Sequence, residues 1–394
     1  MKKLIVLFSA VAALAACSKN EVVPAVSGEN VEISYKVAPR TKAAAATEAD
    51  PKAFNTNNVF ASWAYYLPSG KWDANWEVRK DAKPYIGEGH VGSTISYKDG
   101  VWKDQTTSYY WPKGGKLTFF AYSLNSNTLT NQDSEDLFFY CENGEGAYGI
   151  TGTVDLTNHK NTDFLVADIA SDKTSNETSY YNVNGVPTLF KHKLSRIQFA
   201  VKKKEEYKGA TITLNSITFN NVAHAGHYCQ FNKEKGKDTF TNDYWNEVGT
   251  PSSIVYTTTD FPVTSLTDYA PVKETNETHY IYIPQNFKDE KDVTDPNKIA
   301  TIEVKYTVKF KDGISETYAK TLNVKEIFPR WEVGKRYTFN LMFSLNEIHY
   351  APAVGDWEDV ENPNGYEIKD PEKVEKVGDT TIKADDNHET TEAN

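Results

Sequence analysis

Residues 302–310 read Ile302-Glu303-Val304-Lys305-Tyr306-Thr307-Val308-Lys309-Phe310, and apolar and polar side chains alternate without a break. Strict alternation of period two is typical of a β-strand with one buried face. Similar strand-like runs recur along the chain at residues 31–37, 59–65, 117–122, 163–167, 194–201, 211–219, 280–283 and 337–343. No segment carries a helical stripe longer than two turns, so the sequence predicts an all-β chain built of antiparallel sandwiches.

One of these strands departs from regular alternation. Between Leu214 and Ile217 the apolar positions change parity. A change of parity inside one strand indicates an extra residue on that strand, because the side chains would otherwise change faces. We therefore expect a β-bulge there.

The composition excludes several classes of protein. The chain of 394 residues contains 24 Tyr, 19 Phe and 8 Trp, which is too many aromatic residues for a disordered protein. Three Cys cannot build a disulfide scaffold of this size. A net charge of −11 without a basic tract argues against nucleic-acid binding.

The N-terminus predicts where the protein is localised. Lys2 and Lys3 precede an apolar run at 4–16, which is too short to span a bilayer and reads as a secretory signal. Leu14-Ala15-Ala16-Cys17 has the form of a bacterial lipobox, in which the enzyme cuts before a Cys whose sulfur carries the lipid. We predict a signal peptide at 1–16, an acylated Cys17 in the outer membrane and a polar tether at 17–30. An ordinary signal peptide with a chance Cys is the alternative.

Length and charge suggest the domain limits. The length allows two or three domains. The run Lys202-Lys203-Lys204, followed by Glu205-Glu206, reads as a junction, so we predict domains at 31–205 and 206–357. Residues 358–394 hold 12 Asp or Glu against 4 Lys, which predicts an acidic, flexible tail.

Several motifs together resemble a known family. They are found at residues 109–112, 117–123, 163–167, 189–197, 337–343 and 348–357. In order and spacing they resemble the fimbrillins of Bacteroidetes, the Mfa-like family of lipoprotein pilins. The resemblance implies two tandem transthyretin-like antiparallel β-sandwich domains. It also implies a surface-exposed outer-membrane lipoprotein, which joins other fimbrillin subunits in a fimbria that serves adhesion. No cofactor is expected.

The resemblance further implies a maturation step. In such pilins an Arg-specific protease cuts after the first strand, and a partner subunit supplies a replacement strand. Here the cut would fall between Arg40 and Thr41, with Lys42 as a second candidate. The strand removed would be 31–37, whose one apolar face consists of Val31, Ile33, Tyr35 and Val37. Its removal would expose an open sheet edge, which is a template for strand addition.

The role within a fimbria stays open at this point. Stalk pilins of this kind usually donate C-terminal strands, and the acidic tail departs from that pattern. A donor strand at 348–354 or at 374–383 is conceivable, although the latter alternates poorly. A tip or accessory subunit and an unpolymerised lipoprotein are the other interpretations.

The aromatic residues have two interpretations. Trp63 and Trp111 lie in strand-like runs and are predicted to be core residues. Trp72 and Trp76 flank a turn at Gly70 and are candidates for exposed glycan contacts. The alternative function is therefore a non-polymerising outer-membrane lipoprotein that binds glycans.

The sequence holds no catalytic signature. His224 and His227 resemble a metal pair, but in an extended chain their side chains point to opposite faces, so no metal is expected. A disulfide between Cys141 and Cys229 is less favoured than buried free thiols. Because no hydrolase, metalloprotease or nucleotide motif occurs, we do not expect an enzyme.

Overall fold

The computed structural model describes residues 31–39, 54–72, 76–87, 91–129, 137–144, 147–157, 162–174, 185–204, 209–230, 244–246, 251–257, 260–273, 280–288, 298–344, 348–356 and 375–376. These residues form strands almost throughout, so the all-β prediction is confirmed. No helix in this part of the chain is long and apolar enough to cross a membrane.

The strands of the first half, with one short helix, are β1 (Tyr35–Pro39), β2 (Val59–Leu67), α1 (Trp76–Arg79), β3 (Lys83–Ile86), β4 (Ser93–Lys98), β5 (Val101–Asp104), β6 (Lys116–Ser123), β7 (Leu137–Gly144), β8 (Ala147–Asp155), β9 (Leu165–Ala167), β10 (Ala170–Lys173) and β11 (Val186–His192).

The second half contains β12 (Ser195–Lys203), β13 (Thr211–Val222), β14 (Ala225–Cys229), β15 (Tyr244–Asn246), β16 (Ser252–Thr257), β17 (Phe261–Val263), β18 (Ala270–Pro271), β19 (Tyr280–Tyr282), β20 (Gln285–Asn286), β21 (Thr301–Lys309), β22 (Ser315–Asn323), α2 (Val324–Ile327), β23 (Arg330–Trp331), β24 (Lys335–Phe343), β25 (Ile348–Asp356) and β26 (Glu375–Lys376).

The N-terminal sheet closes on itself. Its order is β10-β6-β9-β11-β1-β5-β4-β2-β3, and β6 pairs in addition with β2. The strands β2, β6, β9, β11, β1, β5 and β4 thus form a closed ring, which we call the N-terminal ring. β3 and β10 extend it on the outside. Because a closed ring has no free edge, each of its strands is held on both sides.

Two apolar cores lie on opposite faces of this ring. Phe60 and Phe119 belong to the inner core, whereas Trp63 and Phe120 belong to a second core on the outer face. Adjacent residues of a strand point to opposite faces. Strands β2 and β6 are therefore buried on both faces and read as continuous apolar runs rather than alternating ones.

A four-stranded sheet joins the two halves of the chain. Its order is β15-β14-β8-β7, so strands from 137–155 pair with strands from 225–246. Cys141 lies opposite Ile150, and Cys229 lies opposite Thr151, so the two cysteines flank β8 in one sheet. Cys229 is buried and is not part of a disulfide, and its sulfur lies 3.4 Å from Thr151 Oγ1.

The C-terminal half holds a third core between two sheets. One sheet runs β18-β12-β24-β25-β26 with β19 also on β12, and the other runs β16-β13-β21-β22 with β17 also on β13. Phe199 of β12 stacks on Phe339 of β24 at 4.8 Å. The pairing of β13 with β21 shifts register between Leu214 and Ser216, so the predicted bulge is confirmed.

The strand pairing assigns β12 to the C-terminal half of the chain. β12 ends at Lys203, ahead of the predicted boundary at 205, yet it pairs in parallel with β24 over eight positions. Ile197, Phe199 and Val201 contribute to the C-terminal core. β12 therefore belongs to a C-terminal sheet, whereas β11, which ends at His192, belongs to the N-terminal ring. A basic run indicates that its own residues are exposed to solvent. It does not indicate which strand pairs with β12, because that partner is distant in the chain.

Candidate functional site: the first strand and its slot

Residues 31–39 lie inside the N-terminal ring. β1 pairs in parallel with β11 over five positions, from Tyr35 opposite Val186 to Pro39 opposite Phe190. On its other side Tyr35 pairs with Trp102 of β5. We call the space between β5 and β11 that residues 31–39 occupy the first-strand slot. Removal of residues 31–39 would leave two open edges, one on β5 and one on β11, instead of the one edge expected from the sequence.

A short segment holds the N-terminal end of residues 31–39. The Ile33 N–H donates to the Tyr109 carbonyl at 2.7 Å, and the Trp111 N–H donates to the Val31 carbonyl at 3.0 Å. Glu32 forms a β-bridge with Tyr110. The Tyr-Tyr-Trp motif at 109–111 therefore binds the first strand through its backbone, a role that sequence patterns did not indicate.

The four apolar positions of the first strand are not equivalent. Ile33 and Tyr35 are buried in the inner core of the ring, and Val37 is half-buried against it. Val31, in contrast, is 54% exposed. The prediction of one uniform apolar face is therefore wrong at Val31, because the neighbouring segment 109–111 contacts its backbone without covering its side chain.

Tyr35 occupies the centre of the slot. Its ring packs edge-on against Phe60 at 5.4 Å and Phe119 at 5.9 Å. Its hydroxyl donates to Ser62 Oγ at 3.1 Å, and Ser62 Oγ donates to the Phe120 carbonyl at 3.3 Å. Burial raises the pKa of the Tyr35 phenol far above its ordinary value, so the hydroxyl stays neutral. The slot thus buries the ring of an aromatic residue and hydrogen-bonds the one polar atom at its tip.

An ion pair ties the first strand to β5. Lys103 Nζ lies 2.7 Å from Glu32 Oε2, and this hydrogen bond is the main cause that lowers the pKa of Glu32 below its ordinary 4.5. A lowered folded-state pKa contributes stability above the unfolded pKa, and the contribution disappears as pH falls through the lowered value. Both side chains remain about one-third exposed, so solvent screens the pair.

Glu32→Gln is therefore expected to lower the free energy of unfolding by less than about 1 kcal/mol at pH 7 and to have a smaller effect near pH 3, where more of the carboxyl is protonated. Hydrogen exchange of the Ile33 and Trp111 amides at the two pH values measures this. Glu303→Gln is the matched control, since Glu303 pairs at 2.8 Å with Lys305 of its own strand, away from the slot. Equal effects of the two variants on these amides would contradict the assignment.

The residues predicted for processing and lipid attachment cannot be placed. Cys17, Arg40, Thr41 and Lys42 lie outside the described residues, although β1 ends at Pro39, directly before Arg40. The same holds for the side chain of Trp76, whose backbone begins α1.

Trp72 is placed in the core, which corrects the expectation of an exposed glycan contact. Its ring packs against Phe120 at 5.8 Å and Tyr148 at 4.9 Å, and no part of it reaches solvent. The carboxylate of Asp172 accepts from its N–H at 3.1 Å, and Arg79 Nη1 donates to its carbonyl at 2.9 Å. A buried ring cannot stack on a sugar. Trp63 is buried as predicted, whereas Trp111 is only half-buried.

The two candidate metal-binding histidines serve different partners. His224 Nδ1 lies 3.1 Å from Ser252 Oγ, while His227 Nε2 lies 3.0 Å from Thr151 Oγ1. In the part of the chain that the structure describes, no group of three His, Cys, Asp or Glu side chains could hold a metal ion.

The chain resembles known proteins in sequence pattern and in fold. A family model described as fimbrillin-like matches residues 75–357, which is more than half of the chain. No curated protein matches the sequence. A fimbrial protein from Bacteroides vulgatus has a similar structure, with a TM-score of 0.55 and 16% identity over 83% of this chain and 99% of its own. Because the identity is so low, this likeness shows the fold alone.

Two further solved structures are similar at lower scores. The tip fimbrial protein Mfa3 from Porphyromonas gingivalis has a TM-score of 0.35 and 9% identity, over 76% of this chain and 94% of its own. A fimbrial assembly protein from Parabacteroides distasonis has a TM-score of 0.34 and 14% identity, over 84% of this chain and 97% of its own.

Proposed function

Because the chain belongs to the fimbrillin-like family, we propose that it is a structural subunit of a surface fimbria and is assembled by replacement of its first strand. The observation that carries the proposal is the position of β1 between two other strands of the ring, with Ile33 and Tyr35 filling the inner core. A subunit that loses this strand needs another one to cover its core and pair its edges.

The energetics support exchange after a cut. Burial of Ile33 alone contributes about 1.5–3 kcal/mol, and Tyr35 and the ladder to β11 add to it. While the chain is intact, the covalent link keeps the strand at high local concentration. Cleavage between Arg40 and Thr41 removes that link without removing a contact, so a strand from a partner subunit can then compete for the slot.

Delivery and domain arrangement complete the proposal. A signal peptide at 1–16 and acylation of Cys17 would anchor the chain in the outer membrane, with 17–30 as a tether and 358–394 as an acidic tail. The Arg-specific protease would act on the chain at the outer membrane. We assign the two halves to tandem transthyretin-like sandwiches, and an accessory or tip role fits the tail better than a stalk role.

The donor strand has two candidates. The spacing Ile348-x-Tyr350 in β25 reproduces Ile33-x-Tyr35, which supports 348–354 as an occupant of the slot. However, β25 pairs with β24 over nine positions, and the side chains of Ile348 and Tyr350 are buried in the C-terminal core. Donation therefore requires β25 to leave its own sheet. A donor at 374–383 would give up the two-position pairing of β26 with β25, and it matches the slot less well.

Arg40→Ala is expected to abolish maturation. The parent chain, which keeps Arg40 and carries Cys17→Ala to prevent acylation, should yield a new N-terminus at Thr41 and heat-sensitive ladders on SDS gels after treatment with an Arg-specific protease. The variant should yield neither, because the bond that frees the first strand is no longer a substrate.

Arg330→Ala is the matched control, since Arg330 is an exposed arginine far from the slot and its loss should leave cleavage unchanged. Intact fimbriae on cells that carry only Arg40→Ala would refute the proposed maturation.

A further inference from the structure

β22 forms an edge of the C-terminal sandwich. It pairs with β21 over nine positions, and among the described residues no strand lies on its other side. The Phe310 N–H donates to the Ile314 carbonyl at 2.8 Å at the turn before β22. In an antiparallel ladder this direction alternates. Even-numbered residues of β22 therefore use their backbone groups toward β21, and odd-numbered residues direct theirs away from the sheet.

The even-numbered side chains of this edge have a symmetric chemical order. In chain order they are apolar, acidic, aromatic, basic and apolar, namely Ile314, Glu316, Tyr318, Lys320 and Leu322. Read backwards about the central tyrosine, apolar again meets apolar and acid meets base. A strand of this kind is complementary to an antiparallel copy of itself, because a two-fold axis reverses the strand direction.

One register alone satisfies the charges. With the axis at Tyr318, Glu316 of each copy lies opposite Lys320 of the other. An axis at Glu316 places two carboxylates opposite each other, and an axis at Lys320 places two ammonium groups together. Axes at Thr317 or Ala319 place a charged residue opposite Tyr318. Like charges directly opposite destabilise a strand pair, and opposite charges stabilise it.

The directions of the backbone hydrogen-bonding groups agree with that register. The odd-numbered residues Thr317 and Ala319 would exchange hydrogen bonds across the axis through the backbone groups that point away from β21. Ile314, which is 57% exposed, would lie opposite Leu322 of the second copy, whose side chain is buried at the margin of its own core. Tyr318 would lie on the axis, and it is held by stacking on buried Tyr306, with ring centroids 5.3 Å apart, and by a hydrogen bond that its hydroxyl donates to Glu316 of its own strand.

We propose that β22 is a self-recognition strand, through which two copies of this chain pair antiparallel about Tyr318. A charged residue on an edge strand ordinarily discourages pairing. Here the second copy places Lys320 opposite Glu316, and Glu316 opposite Lys320. The same charges therefore disfavour pairing with other strands and favour pairing with a second β22. The contact uses the opposite half of the molecule from the first-strand slot and does not rest on strand replacement.

Disulfide trapping of the full-length chain in its native membrane tests this pairing. Two Tyr318→Cys copies would face each other as a non-hydrogen-bonded pair with Cα atoms about 4.5 Å apart, within disulfide range. We expect an oxidant to link them into a dimer, also in an Arg40→Ala background. Tyr97→Cys is the matched control, since Tyr97 is an exposed tyrosine on β4 and should not cross-link.

Charge reversal distinguishes the register from a chance collision. With Thr317→Cys and Ala319→Cys chains expressed together as reporters, a mixed dimer should form. Glu316→Lys or Lys320→Glu should reduce it about tenfold, since each reversal replaces two attractive pairs with two repulsive ones. The double reversal should restore it, which a folding defect would not do. Equal cross-linking of Tyr97→Cys and Tyr318→Cys, or no rescue by the double reversal, would overturn the proposal.

Discussion

Tyr35→Ala is expected to lower the free energy of unfolding of the N-terminal ring by about 3–5 kcal/mol, in the range of large-to-small changes of buried aromatic residues. The ring loses the side chain that packs against Phe60 and Phe119, and a closed ring cannot collapse easily around the cavity. Hydrogen exchange of the β2 and β6 amides in the uncut chain measures the effect locally, without assuming that the whole chain unfolds in one step.

Two matched variants separate the causes. Tyr35→Phe keeps the ring and loses only the hydrogen bond to Ser62, so about 0.5–1.5 kcal/mol is expected. Val31→Ala changes an exposed residue of the same segment and should stay within about 0.5 kcal/mol. If Tyr35→Ala were no more destabilising than Val31→Ala, the first strand would not support the inner core.

The same variants test the proposed exchange. In the protease-cut chain, where only non-covalent contacts hold residues 31–40, Tyr35→Ala should speed loss of this fragment and the appearance of ladders. Tyr35→Phe should have a small effect. This outcome rests on the proposed function, whereas the stability result for the uncut chain does not.

Trp72→Ala should destabilise the outer core by a similar amount, about 3–5 kcal/mol. Its ring is fully buried between Phe120 and Tyr148, and its backbone is held by Asp172 and Arg79. Urea unfolding and hydrogen exchange of the β6 amides are the measurements. Trp72→Phe, which keeps an aromatic ring in the same place, should recover more than half of the loss.

A glycan array provides the opposing outcome. If Trp72→Ala kept full stability and lost binding to a glycan that the parent protein binds, Trp72 would be a surface contact and its burial would be wrong. We expect any change in binding to follow loss of folded protein, with Trp72→Phe close to the parent on both measurements.

Much of the C-terminal half was predictable from its sequence. β21 and β24 alternate cleanly because each has one face in the core and one toward solvent. The bulge in β13 was visible for the same reason, since a change of parity has no other simple cause within one strand. The strands β2 and β6 were recognised as strands, but two buried faces erase the alternation that would indicate their orientation.

The candidate site was predictable only in part. Alternation identified Ile33 and Tyr35 as buried side chains, and the motif at 109–112 supported the family. Val31 and Trp72 were misjudged because exposure depends on what covers a residue. A tryptophan beside a glycine turn reads as a surface residue until the strands that pack over it are known.

The sequence by itself determined the class of fold, the family, and most of the strands, because these follow from local periodicity and short motifs. Only the tertiary structure decided that the first strand lies inside a closed ring, that β12 joins the C-terminal sheet, and that β22 is an edge strand among the described residues. The physical reason is that the hydrogen bonds of a strand are made with a partner distant in the chain. Its own residues specify which face is buried, but not which strand will lie beside it.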